Sequence, residues 1–278
     1  MDKTFLSRIV TTTTVFPRRH PAEDAIDRIA AAGFDAIDMG LDYWDYGPDS
    51  PFLGDEYVGW ASRLRERAEA LGVPFTHSHA PGGADCGELI GRSLETAAAL
   101  GAGYMVLHPV YHDEERRDIN DPELFIKLNA ALVEPWLDKA EKLGVTILSE
   151  NLQYGASADP RVVAELAAHV DSPRFGWCWD TGHAHCSGFA PEVLRECAAP
   201  PLSLHLHDND ASGDDHLIPG DGTIDWKAVI SVLRETGYAG DCVLEAHSQC
   251  KKAPDDQRDA VLRRLCESGK KLRAAAAG

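Results

Sequence analysis

Residues 176–183 read GWCWDTGH, an apolar run that stops on an aspartate with a Thr-Gly-His turn behind it. Side chains alternate across a β-strand, so Cys178 and Asp180 share one face, and that face turns acidic only at its last residue. The same ending recurs on both sides. TILSEN at 146–151 places Leu148 and Glu150 on one face, SLHLHDND at 203–210 pairs His205 with His207, and CVLEAH at 242–247 pairs Val243 with Glu245. Upstream, FTHSHAP at 75–81 pairs His77 with His79, and MVLHP at 105–109 stops on His108. Polar groups therefore gather at the C-terminal ends of strands.

Between these runs lie Ala/Leu/Glu-rich amphipathic stretches, the rhythm of βα units. Strands are expected near Arg8–Val15, Phe34–Met39, Val73–His79, Gly103–His108, Val145–Glu150, Phe175–Asp180, Leu202–His207 and Asp241–Glu245. Helical segments follow: Asp24–Ala32, Tyr57–Leu71, Leu89–Leu100, Leu124–Leu143 and Ala228–Thr236 each stop at a glycine, which accepts the left-handed conformation at little cost. Eight such units without a compositional break predict a single (β/α)8 TIM barrel over residues 1–278. A doubly wound open sheet has the same rhythm. No G-x-G-x-x-G follows the first strand, however, and only a closed barrel brings every strand end to one mouth. The Ala-rich tail after Leu272 is expected to fray.

Composition narrows the function. The 278 residues are 44% apolar and 26% charged, and 27 Lys+Arg against 45 Asp+Glu give a net charge of −18. Such a surface repels polyanions and disfavours nucleic acid and anionic membranes. Seven cysteines without a C-x-x-C pair do not make a disulfide framework and fit a reducing cytoplasm. The N-terminus lacks an apolar signal core. The longest stretch free of Asp, Glu, Lys and Arg, Thr96–His112, carries glycines, a proline and histidines, so no transmembrane span is expected.

A carboxylate facing into a barrel is costly unless it is paired or bound to a metal. Glu150, Asp180, His205 and Glu245, from four successive strands, together point to a metal site. A single strand-end histidine is more often a hydrogen-bonded structural residue, and His112, His169 and His247 fall outside the pattern and are read that way. His20, beside Arg18 and Arg19, reads as solvated. Cys178 and Cys186 read as small buried hydrophobes. No P-loop, H-E-x-x-H or G-x-S-x-G is present. The segment WDYGPDS at 44–50 is either an ordered surface loop or a lid over the mouth.

SENL around Glu150, the WDTGHAH run from Trp179, and LHLHDND with DDHLIPGDGTIDW between Leu204 and Trp226 resemble the xylose isomerase-like TIM-barrel superfamily. That superfamily holds sugar phosphate isomerases and epimerases and the endonuclease IV-type DNA repair enzymes. The resemblance runs from the first strand to Glu245 and implies a divalent metal on Glu150, Asp180, His205 and Glu245. Endonuclease IV-like members bind three zinc ions, and their further ligands map onto His79, His108, His183, Asp214 and His216. Sugar-isomerase relatives also keep the T-G-H and D-x-H motifs, where these residues support ligands or substrate hydroxyls.

The resemblance implies a metal-dependent isomerase or epimerase of a keto-sugar, with Glu150 and Glu245 as the proton-transfer pair. His183 and His207, with His79 and His108, would hold substrate oxygens. The same proton removal with loss of a β-substituent makes a lyase or deglycosidase on an oxidised sugar. An endonuclease IV-like phosphodiesterase needs a basic DNA-tracking surface, which the charge of −18 opposes. Three carboxylates and one imidazole suit Mn2+ first, then Mg2+, Co2+ or Fe2+, whereas recruiting the extra histidines favours Zn2+. Arg18, Arg19, Arg116 and Arg117 lie in loops after the first and fourth strands, but adjacent basic pairs usually face water, so an unphosphorylated small sugar is the expected partner. The sequence is compatible with a homo-oligomer and does not specify one.

Overall fold

Short, almost wholly buried strands form the inner wall of the computed structural model, which describes residues 5–41, 50–82 and 86–276. They are β1 (Ile9–Thr12), β2 (Ala36–Gly40), β3 (Phe75–His79), β4 (Tyr104–Leu107), β5 (Thr146–Glu150), β6 (Phe175–Asp180), β7 (Ser203–His205) and β8 (Cys242–Leu244). All pair in parallel, in the order β7-β6-β5-β4-β3-β2-β1-β8. The seam between β7 and β8 is joined just past β7. The Leu206 N–H donates to the Val243 carbonyl at 2.8 Å, and the Leu206 carbonyl accepts from the Glu245 N–H at 3.1 Å. The sheet is thus a single (β/α)8 barrel.

Ten helices are described: α1 (Ala22–Ala32), α2 (Tyr57–Ala70), α3 (Cys86–Leu100), α4 (Pro122–Val133), α5 (Leu137–Leu143), α6 (Pro160–Val170), α7 (Thr181–Cys186), α8 (Trp226–Glu235), α9 (Ser248–Lys252) and α10 (Asp255–Ala275). The main core lies between sheet and helices and includes Ile9, Ile37, Ile147, Trp177 and Leu204. The alternate strand positions point inward. Val10, Ala36 and Val243 form one interior cluster, and Val106, Leu148 and Cys178 another. Burial pushes the Cys178 thiol up to about 12, in keeping with a small buried apolar residue. At the N-terminal end Asp241, just before β8, takes Arg8 Nε at 3.0 Å, a second Arg8 nitrogen at 2.8 Å and the Ser7 hydroxyl at 2.8 Å. This clasp ties the start of β1 to the start of β8.

Several boundaries differ from the sequence reading. The first strand ends at Thr12, whose hydroxyl accepts from the Thr14 N–H and opens a 3-10 turn, Thr13–Val15. The segment 124–143 breaks into α4 and α5 across the turn Glu134–Trp136, because Pro135 has no N–H to donate. The helix after β6 is only six residues long. The chain past Leu272 does not fray. It stays helical to Ala275, with Leu272 buried and Arg273 donating to Asp35 Oδ2 at 2.9 Å. Of WDYGPDS, residues 44–49 lie outside the described residues, and Ser50 caps the turn Pro51–Leu53. Among the described residues no helix is long and apolar enough to cross a membrane.

Candidate metal centre

The acidic strand ends meet at the C-terminal mouth. Glu150 closes β5 and is fully buried. Its Oε1 lies 2.7 Å from His205 Nδ1, and its Oε2 lies 3.2 Å from His79 Nε2 and 3.3 Å from His108 Nε2. His205 Nδ1 also stands 3.4 Å from Glu245 Oε2, so the two glutamates converge on one imidazole nitrogen.

Asp180 ends β6 and caps α7, with Oδ1 accepting from the His183 N–H at 2.6 Å. Its backbone is clamped by Asn151, whose Oδ1 accepts from the Asp180 N–H at 2.8 Å and whose Nδ2 donates to the Asp180 carbonyl at 3.0 Å. Thr181 ties this turn to β7 by donating to the His205 and His207 carbonyls at 3.3 and 3.1 Å. Gly182 is required by space: a Cβ there would sit 1.9 Å from Cε1 of His207. That close approach lets His207 Nε2 reach Asp180 Oδ2 at 3.1 Å.

The loop after β7 is built around Asp208. Its Oδ2 accepts from the Gly220 N–H and Trp226 Nε1, both at 2.8 Å, and its Oδ1 accepts from the Asn209 and Ile224 N–H groups at 3.0 and 3.1 Å. The folded loop delivers Asp214 and His216. Asp214 Oδ2 lies 3.3 Å from His183 Nε2 and 3.0 Å from His216 Nε2, and His216 Nδ1 lies 2.9 Å from the Glu245 carbonyl. His207, His216 and His247 stack in sequence, with ring centroids 3.9 and 4.0 Å apart.

Three groups result, each with donor atoms within 4.8 Å of one another: Glu150, Asp180, His205 and Glu245; His79, Glu150 and His205; His183, His207, Asp214 and His216. His205 Nε2 and Asp214 Oδ1 are buried without a hydrogen-bond partner among the described residues. Mixed carboxylate and imidazole donors at this spacing fit a divalent cation. The protonation pattern agrees. Burial pushes the Glu150 carboxyl up, but His205, His108 and His79 outweigh it and hold it well below the carboxylate range. Asp180 is likewise lowered, against its burial, by His183 and His207. Burial alone would lower His79, His183 and His205, yet the carboxylates raise all three, His79 to about 9. Imidazolium charge thus stands where a cation's charge would act.

A cavity of about 260 Å3 opens above, lined in part by His79, His108, His183, Asp214, His216 and Glu245. The structure therefore brings the metal quartet and the five further ligand candidates together. His207 differs: it is fully buried, does not line the cavity and serves Asp180. His247, read as structural, lines the cavity, where burial and then His216 and Lys251 lower its pKa and keep it neutral. His20 bonds Asp24 at 2.7 Å and His112 bonds the Asp113 carbonyl at 3.2 Å, both away from the site. Asn151 and Asp208 escaped the sequence reading because their partners are distant in the chain; the SENL and DND runs were their only trace.

A closed parallel barrel with a carboxylate–histidine centre at its C-terminal mouth defines the class. Residues 26–268 match the family model described as xylose isomerase-like TIM barrel, and the chain belongs to that family. A relative, the uncharacterised protein y4fM of Sinorhizobium fredii, is 30% identical over 54% of this chain, which spans about half (49%) of that protein's length. A D-tagatose 3-epimerase-like protein superposes with a TM-score of 0.75 at 24% identity, over 97% of this chain and 98% of that one. The IolI protein with a bound zinc atom gives the same TM-score of 0.75 at 18% identity and the same coverage, 97% and 98%.

Proposed function

We propose that this protein is a divalent-metal-dependent isomerase or epimerase of a keto-sugar or sugar derivative. The observation that carries the reading is the convergence of Glu150 and Glu245 on one nitrogen of His205, with Glu245 lining a sugar-sized cavity. Glu150, Asp180, His205 and Glu245 would hold the ion, and the zinc atom bound in the IolI neighbour supports a metal in such a barrel. A divalent ion held there would supply the Lewis acid that acidifies the C–H next to a carbonyl. Glu245 lines the cavity and would take that proton. Glu150, buried beneath His79 and His108, completes the proton-transfer pair on the opposite side. His79, His108 and His183 donate to substrate hydroxyls, and His207 positions Asp180. Mn2+ is the favoured ion.

Expulsion of a β-substituent after the same proton removal would make a lyase or deglycosidase, which only the substrate decides. A multi-zinc phosphodiesterase is the second reading, favoured by the His183–His207–Asp214–His216 group. Metal analysis of the purified protein, followed by a keto-sugar panel in deuterated water, tests the proposal. One ion per chain and deuterium at the carbon next to the carbonyl are expected. Three zinc ions with cleavage of abasic DNA and no exchange on any sugar would replace it.

A further inference from the structure

The cavity carries both signs of charge. Asp214, Glu245 and five imidazoles line it, and so do Arg18 and Lys251. Arg18 follows β1, and Lys251 lies in α9, just after β8. Because β1 and β8 are paired neighbours, both cations are delivered to the same sector of the mouth. Lys251 forms no ion pair among the described residues, in a chain whose acids outnumber its bases by 18. The two carboxylates that share the cavity are engaged elsewhere, Asp214 by His183 and His216, Glu245 by His205. His247, which stacks on His216 and lines the same cavity as Lys251, has a buried Nδ1 with no hydrogen-bond partner among the described residues. Arg117 pairs with Asp113 and Glu115, and Arg18 lines the cavity.

We propose that the substrate carries an anionic group, a carboxylate or a phosphate monoester, on the end remote from the metal ligands, and that Arg18 and Lys251 bind it. This deepens the sugar-isomerase reading and rests on it for the sugar. A guanidinium and an ammonium facing one partly enclosed cavity supply charge-assisted hydrogen bonds that a neutral sugar leaves unmade. Discrimination then comes from the anion, while the polyol end is set over the carboxylates.

The test is equilibrium calorimetry on the metal-loaded full chain with a neutral ketohexose, its 6-phosphate and a hexuronate. At low salt one acidic ligand should bind at least about tenfold more tightly than the neutral sugar, with an advantage that shrinks as ionic strength rises. Which acid holds the advantage distinguishes phosphate from carboxylate. In R18M and K251M, checked for unchanged metal content and Tm, the ratio of acidic to neutral affinity should fall toward one. Equal affinities for acidic and neutral sugars in the wild type overturn the proposal. So does an acid preference that survives both substitutions, since the anion would then sit on the metal. Binding is read without turnover. A chain that prefers acids but exchanges no carbon-bound proton would therefore refute the isomerase and leave the anion site standing.

Discussion

Glu150 is a carboxylate without solvent, touched by imidazoles on both oxygens, and such a group persists only because charge is returned to it at close range. His205 does most of that work. His205→Ala should strip the ion, because one neutral ligand in four is lost, while far-UV dichroism stays unchanged. Full metal content in that variant would move His205 out of the coordination shell. Glu245→Gln keeps size and one oxygen ligand but removes the base. Turnover should fall by about 10^2–10^4-fold, the range for general acid–base catalysis, and solvent exchange at the reacting carbon should stop. Full turnover in Glu245→Gln would make this carboxylate a ligand only, and Asp38 would be the next base to test. It is buried inside the barrel, its oxygens unpartnered among the described residues, and desolvation raises it to about 6. These residues were legible in the sequence because strand parity and the abrupt polar ending fix a face and an end. Parity does not fix depth, however: the His207 ring packs against Gly182 and is not part of the cavity lining.

At the scale of elements, each turn leaving a strand is held by a side chain from the next unit. Gly182→Ala forces a methyl into the His207 ring, and the cost should be about 1–3 kcal/mol, the usual price of overpacking, read as a lowered midpoint in urea. An unchanged midpoint would mean that the ring swings away freely. The Asp241 clasp titrates. Its burial pushes the carboxyl up, but Arg8 and His77 more than offset that and leave it lowered. A lowered acid contributes stability that is complete above its unfolded value, about 4, and is lost as pH falls through the folded one. Asp241→Asn should therefore be less stable at neutral pH and show a shallower loss of stability below pH 4 than the wild type. Parallel acid profiles would remove the clasp from the account. Helix stops at glycine are readable in the sequence, and Pro135 marks the break between α4 and α5. The six-residue length of α7 is not displayed by local sequence.

Across the whole molecule acids outnumber bases by 18, and at the site the buried carboxylates favour protonated imidazoles. Loading a cation must release those protons, since imidazole ligates only when neutral. With His79 raised to about 9 and His183 and His205 raised well above their usual value, metal uptake at pH 7 should eject protons and its affinity should climb as pH rises toward 9. Calorimetry in buffers of different ionisation enthalpy measures this. Heats that do not depend on buffer would show that the imidazoles are already neutral.

The seam between β7 and β8 gives the barrel a weak place in time as well as in space. Leu206 laps the two strand ends with two hydrogen bonds, and it stands between His205 and Glu245, one proposed ligand on each side of the join. An ion held by both would act as a rivet across the hoop. Without it, the amide protons of Leu206 and Glu245 should trade with solvent through brief local gaping of the wall. With it, they should be surrendered only when the entire hoop comes apart.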